Sequence, residues 1–284
     1  MRKVLIVLIS LLFLFGCNKK DEKEIIKEEK YDFNIGYASN LLNDNDTNYM
    51  KKVFKDFKIS NSDLFFKLLS EFNKVQDEKC GLKDWVKTEE LKYDDFSCID
   101  NYEKVNKESD GNCRITAYTL IKDKLEFNNK KNKSGDYLML DNDVIENNDN
   151  YKIVKDNYDE FVTLFDEIDV SDINENELKN VYINNWNKYG IKIKDDKVSL
   201  ISIVMHDKDF KLLFIGHTGI LINLGDKYLF IEKIAFEEPY QFNIIKDIND
   251  LKNIFMSRAN YFNGEKDEKG PFVYQNNKLL YELK

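Results

Sequence analysis

The stretch VSLISIVMHDKDFKLLFIGHTGILINLGDKYLFIEKIAF, residues 198–236, decides the fold of this chain. Within it, residues 198–205, 210–215, 218–224 and 228–236 are rich in Ile, Leu, Val, Phe and Tyr and are separated by hairpin-length gaps. That pattern predicts consecutive antiparallel strands. Downstream, helical spacing near 248–257 and a final hairpin over 272–282, turning at Asn276-Asn277, close the chain. Upstream the period changes from two to nearly four. Tyr49, Val53, Phe54 and Phe57, then Leu64, Phe65, Leu68, Leu69 and Phe72, recur at spacings of three and four, with N-cap candidates in Ser60-Asn61-Ser62-Asp63 between them. These aromatic stripes are read as core. Helices that come first and antiparallel strands that come later argue for an α+β fold, with N-terminal helices packed on a C-terminal antiparallel sheet.

Between these blocks, residues 75–111 show weak periodicity and are expected to be irregular, ending in Glu108-Ser109-Asp110-Gly111-Asn112. A helix is predicted to start at Cys113, since Ala117, Leu120, Ile121 and Leu125 follow at helical spacings. Residues 128–134 read as a loop, 137–140 as a short strand, and 158–168 and 177–189 as helices, the second ended by Gly190.

Residues 1–16 carry the marks of a secretory signal: Arg2 and Lys3, then an apolar run from Val4 to Phe15 interrupted only by Ser10. The run is shorter than the roughly 20 residues that span a bilayer. Leu14-Phe15-Gly16-Cys17 resembles a bacterial lipobox, which implies cleavage before Cys17 and a diacylglycerol on its sulfur. The expectation is a lipid-anchored, extracytoplasmic protein whose membrane partner is reached through Cys17. Residues 17–30, almost all polar or charged after the cysteine, form a tether with too little apolar content to offset the entropy of ordering. Residues 31–284 remain as a single α+β domain without a Pro/Gly/Ser-rich linker.

The net charge of −9, with both signs interspersed, argues against a nucleic-acid partner. Two histidines in unrelated contexts and the lack of paired-cysteine spacing argue against zinc, and no glycine-rich phosphate loop is present. No metal or cofactor is expected. Besides Cys17 there are three cysteines, Cys80, Cys98 and Cys113. A Cys80–Cys98 disulfide would leave Cys113 as the one free thiol, but spacing does not decide whether the backbone permits it.

The chemistry-bearing residues lie a hundred positions apart. Cys113 falls at a helix start, where the partial positive charge of the helix end favours a thiolate. His217 stands in Gly216-His217-Thr218-Gly219. Alternation in 228–236 puts Phe230, Glu232, Ile234 and Phe236 on one face, and a carboxylate among those apolar neighbours needs a partner. Cys113, His217 and Glu232 then make a nucleophile, a base and an orienting group. Each also has a structural reading: a buried core cysteine, a core histidine, and a glutamate paired with Lys233, Lys211 or Arg114. Asn112, Arg114 and Gln241 are candidates for binding substrate or an oxyanion, Gln241 within a loop that Pro239 opens. His206, before Asp207, reads as an exposed turn residue.

Cysteine at a helix start, His-Thr-Gly-Ile-Leu-Ile on a strand and Phe-Ile-Glu on the next are similar to the NlpC-type branch of papain-like cysteine peptidases. The resemblance implies a papain-like core and hydrolysis of an amide bond. Asn112 stands where that branch usually has aspartate, and Glu232 where histidine, asparagine or glutamine is commoner. Tyr37-Ala38-Ser39-Asn40-Leu41, Asn112-Cys113-Arg114-Ile115-Thr116, Gly216-His217-Thr218-Gly219, Glu232-Lys233 and Phe236-Glu237-Glu238-Pro239-Tyr240-Gln241 resemble the domain of unknown function 4300 family of bacterial lipoproteins over nearly the whole mature chain. That family implies no activity. The resulting expectation is a surface lipoprotein with a thiol-hydrolase site for a peptide-type amide, such as a peptidoglycan stem peptide. The alternative is a non-catalytic surface protein that binds a wall component or a protein partner.

Overall fold

The computed structural model describes residues 39–40, 43–77, 79–80, 85–87, 95–105, 109–257 and 269–283. The signal segment, Cys17 and the tether lie outside the described residues, as do Tyr37, Ala38 and Leu41. The first helix, α1 (Asp44–Asp56), is capped by Asn43, whose side chain accepts from the Asp46 N–H at 2.9 Å. Helix α2 (Ser62–Val75) buries Phe65, Phe66, Leu68, Leu69 and Phe72, each contributing about 1.5–3 kcal/mol on removal from water. Its N-cap, Asn61, adopts φ 51° and makes no side-chain cap. Its Nδ2 instead donates to the Thr119 carbonyl at 2.8 Å, tying α2 to the helix that follows the site loop.

Helix α3 (Asp95–Val105) occupies part of the segment expected to be irregular. It carries Cys98, which is joined to Cys80 by a disulfide. Its many polar positions dilute the apolar stripe that would have marked it. Helix α4 (Cys113–Ile121) begins where the sequence placed it but ends before Leu125, which opens strand β1 (Leu125–Glu126). The expected strand over 137–140 is instead a 3-10 turn, Asp136–Leu138, leading into α5 (Met139–Asn147). Only Leu138 of that short apolar patch is buried near its start, while Met139 and Leu140 face solvent, so one turn of helix satisfies it as well as a strand.

After α6 (Lys152–Lys155), α7 (Tyr158–Phe165), strand β2 (Ile168–Asp169) and α8 (Leu178–Tyr189), Gly190 ends α8 with φ 60°. This is the left-handed cap glycine adopts without a Cβ penalty. Strand β3 (Lys192–Ile193) pairs with β1. The sheet then unfolds along the chain as β4 (Val198–Asp207), β5 (Leu212–Asn223), β6 (Tyr228–Lys233), β7 (Tyr240–Ile245), and, after α9 (Leu251–Met256), β8 (Phe272–Gln275) and β9 (Lys278–Glu282). Its order is β7-β6-β5-β4-β8-β9, antiparallel throughout, with β2 added beside β5. The architecture is α+β, with nine helices and a large antiparallel sheet among the described residues. None of those helices is long and apolar enough to cross a membrane.

Two features of the sheet differ from the sequence reading. The two expected strands over 210–224 are one, β5, and the break between them is a bulge: Ile203 pairs with His217 and Val204 with Ile215, leaving Gly216 unpaired. Because Ile203 and Val204 are neighbours, His217 and Ile215 are aimed to opposite sides despite being two residues apart. The run 228–236 stops at Lys233, and the chain returns after Pro239 as β7, which was not expected. Gln241 therefore lies in a strand and not in a loop, opposite Glu232. One side of the sheet packs Ile201, Ile203, Leu221, Phe230 and Ile245 against Leu251, Ile254 and Phe255 of α9. Phe65 and Phe72 of α2 meet Tyr240 edge-on at 5.4 and 5.8 Å.

Candidate active site

Cys113 opens α4, and the local chemistry of that start is set by Asn112. Its backbone is extended, φ −86° and ψ −167°, and its Oδ1 accepts from the N–H groups of Arg114 at 3.0 Å and Ile115 at 3.1 Å. The cap satisfies the second and third N–H of the helix. The N–H of Cys113 has no acceptor among the described residues. With Cys80 and Cys98 joined, Cys113 is the free cysteine of the described residues, 5% exposed.

The helix packs along β5 and β6, which brings the three expected residues together. The Cys113 thiol and the His217 imidazole are hydrogen-bonded. The ring Nε2 lies 2.6 Å from Glu232 Oε2. Glu232 Oε1 accepts from Asn243 Nδ2 at 2.9 Å, and Asn243 Oδ1 accepts from Gln241 Nε2 at 3.1 Å. His217 and Glu232 are each 1% exposed, and Asn243 and Gln241 are fully buried. The result is a buried polar chain running from the sulfur through β5 and β6 to β7.

The electrostatics favour the charged form of the first pair. Burial pushes the Cys113 thiol up, but His217 and then Arg114 outweigh it, and the thiol lies below its usual value despite the opposing charge of Asp141. Burial pushes His217 down, yet Cys113 and Glu232 hold the imidazole up at about 9. Both shifts run toward a thiolate beside an imidazolium, with Glu232 as the second anion on the ring.

A family model described as a domain of unknown function, DUF4300, matches residues 37–280. The chain belongs to this family. No curated protein matches it, and no solved structure does. The DUF4300 match contains the whole Cys113–His217–Glu232–Asn243 chain and both of the networks that brace it.

The first brace of this DUF4300 domain is Asp141, fully buried on α5. It accepts from Asn112 Nδ2 at 2.9 Å and from Arg114 through Nε at 3.0 Å and Nη2 at 2.5 Å. Arg114 Nη1 goes on to the carbonyl of Ile215, two residues before His217, at 2.9 Å. Arg114 is thus engaged by Asp141 and the Ile215 carbonyl, and the Asn112 amide is taken up by the cap and by Asp141. Gln241 is engaged with Asn243 through Nε2, while its buried Oε1 has no partner among the described residues. His206 is half-buried within β4 opposite Leu213, not in a turn, and takes no part in the network.

The second brace is Asp110. Its carboxylate accepts from the Gly111 N–H at 2.8 Å, from the Tyr151 hydroxyl, and from the Tyr240 hydroxyl at 2.8 Å, and it faces Lys233 Nζ at 3.5 Å. Sequence reasoning missed Asp110, Asp141, Lys233 and Asn243. Lys233 did leave a signal, a second charge inside an apolar run, and Asp110 sits in the loop that was quoted. Asn243 was hidden by the unrecognised strand β7, and Asp141 lies in a polar stretch that offers no signal. Among the described residues no group of three His, Cys, Asp or Glu side chains is placed to hold a metal ion.

Proposed function

We propose that this DUF4300 protein is a surface lipoprotein whose Cys113, His217 and Glu232 form a thiol-hydrolase site for a peptide-type amide on a papain-like, NlpC-type core. The observation that carries the reading is the continuous hydrogen-bonded order of thiol, imidazole and carboxylate with the thiol at a helix start. In the proposed reaction the Cys113 thiolate attacks the amide carbonyl carbon and the His217 imidazolium gives its proton to the departing amine. This leaves a thioester and a neutral imidazole. His217 then takes a proton from water as that water attacks the thioester, and breaking the C–S bond releases the acid and restores the thiolate beside the imidazolium. The helix-start N–H of Cys113 would serve as an oxyanion donor in this reaction. Glu232 holds the ring tautomer and balances its charge.

The extracytoplasmic placement and the lipid on Cys17 belong to the same proposal. The Cys80–Cys98 disulfide supports an oxidising compartment. Fractionation tests it: wild type is expected with the membranes and Cys17→Ala in the soluble phase, and equal distribution of the two overturns the anchor. The hydrolase is tested on a panel of peptide amides that includes cell-wall stem peptides. Wild type is expected to turn over at least one, and full activity in Cys113→Ala overturns the assignment.

A second reading, a non-catalytic surface protein that binds a wall component or a protein partner, draws support from the 5% exposure of Cys113 and 1% exposure of His217. It predicts a Cys113 that iodoacetamide does not reach in the native protein, and binding that survives Cys113→Ser.

A further inference from the structure

We propose that the buried Lys233–Asp110 pair is a positioning device for the nucleophile: it fixes the loop that delivers Cys113 to the strand that delivers Glu232. The inference rests on the hydrolase reading and assigns Lys233 and Asp110 a part in it that neither residue's own chemistry announces.

Lys233 is fully buried at the end of β6, immediately after Glu232. Its ammonium donates to the carbonyls of Phe236, at 3.0 Å, and Glu238, both in the return to β7. It also lies over the rings of Phe72 and Tyr240, 4.1 and 4.6 Å from their centroids. The charged groups acting on it are Asp110, Glu237 and Glu238, and burial nonetheless depresses it to about 8. A fully buried ammonium is costly, and an apolar side chain in its place would pack against the same rings at lower cost. What the apolar side chain cannot do is hold Asp110.

Asp110 is three residues before Cys113, and every acceptor site on its carboxylate is used by a different element. Gly111 is its own loop, Tyr151 precedes α6, Tyr240 is on β7 and Lys233 is on β6. Gly111 packs closely against Tyr151: a Cβ there would sit 2.7 Å from its ring and hydroxyl. The loop is therefore pinned at Asp110 to the strand ends, and at Asn112 to Asp141 and the cap. Arg114 ties the same helix start to β5 near His217. The first tie fixes the helix start relative to Glu232, and the third fixes it relative to His217.

The charges that act most on Cys113 are those of His217, Arg114 and Asp141. A change at Lys233 that alters Cys113 therefore acts through geometry. The test is the pH dependence of iodoacetamide alkylation of Cys113, resolved by peptide mass spectrometry, in wild type, His217→Ala, Lys233→Met, Tyr240→Phe and the double variant Asp110→Asn with Lys233→Met. Near-ultraviolet circular dichroism and thermal denaturation are measured on each.

Lys233→Met is expected to raise the alkylation midpoint by about one pH unit, lowering the rate about tenfold at pH values below both midpoints. The double variant is expected to recover thermal stability while its midpoint stays raised. Tyr240→Phe removes a single donor from Asp110 and gives a smaller shift in the same direction, which keeps the test decisive where Lys233→Met does not fold. A wild-type midpoint in Lys233→Met and Tyr240→Phe, with a low, His217-dependent midpoint in wild type, overturns the positioning role and leaves the hydrolase reading standing. An ordinary midpoint in wild type, unchanged in His217→Ala, overturns the hydrolase reading and the positioning role with it.

Discussion

His217 stands between the sulfur of Cys113, whose thiol is held below its usual value, and the carboxylate of Glu232, and this sandwich sets the pH behaviour of the site. The thiolate fraction grows as pH rises past the lowered Cys113 value, while the imidazolium is lost as pH rises through about 9. Alkylation needs only the thiolate, so its rate is expected to be high at neutral pH and not to fall above pH 9. Amide cleavage needs the imidazolium as proton donor and is expected to decline there. A pH–rate profile for each reaction checks this, and parallel profiles would sink it. One group gives up the proton that the other retains, so forming the pair changes the net protonation of the folded chain little. The signature therefore lies in reactivity more than in stability. Glu232→Gln keeps the shape but removes the second anion, and alkylation at pH values below the wild-type midpoint is expected to fall about tenfold, equivalent to about one pKa unit. Cys113, His217 and Glu232 were legible as sequence because each is a conspicuous residue in a conspicuous place: a thiol after a cap, an imidazole between glycines, a carboxylate among aromatics. Asp141 and Asn243 were not, because an aspartate on a polar helix and an asparagine in an unrecognised strand look like surface.

At the scale of elements, the start of α4 explains why asparagine stands before Cys113. An aspartate would keep the cap through one oxygen but turn the other toward Asp141, where Asn112 now offers an N–H at 2.9 Å. Asn112→Asp is expected to be destabilised in urea melts by about 1–3 kcal/mol, the cost of a buried polar group deprived of its partner. Asn112→Ala, which loses the cap as well, should be no more stable than that. If Asn112→Asp proved as stable as wild type, the account of the cap would be wrong. Close approach governs the β5–β6 pair. A Cβ on Gly219 would lie 2.6 Å from the Ile231 carbonyl and 2.7 Å from the Phe230 ring. The carbonyl is part of the ladder and cannot swing away, so Gly219→Ala is expected to cost about 1–3 kcal/mol by denaturant titration. A neutral result would mean that the strands separate more easily than their register implies. Strong periods made α1, α2, α4, α8, β4 and the final hairpin readable from the chain. Elements were missed where the period was short or diluted: α3 with its polar positions, the turn before α5, and β7 behind Pro239.

For the molecule as a whole, the Cys80–Cys98 link closes a loop with a sequence separation of 18 ahead of the site loop. In the chain-entropy picture a loop of that size restrains the unfolded chain by about 3 kcal/mol. Reduction with a thiol is expected to lower the denaturation midpoint accordingly without lowering the neutral-pH alkylation rate of Cys113, whose braces lie in α5, β5, β6 and β7. A matching loss of Cys113 reactivity would show that the linked segment also supports the site. Period and residue type alone determined the α+β order, the core stripes, the start of the helix that carries Cys113 and the three candidate residues, because those depend on local geometry and on the rarity of thiols and imidazoles. Tertiary structure decided the rest: that Cys80 meets Cys98, that a bulge at Gly216 aims His217, and that β7 brings Asn243 beneath Glu232. It also decided that Asp110, Asp141, Arg114 and Lys233 brace the helix start. Each of these depends on where distant segments meet, and a contact between residues tens of positions apart leaves no period in the chain.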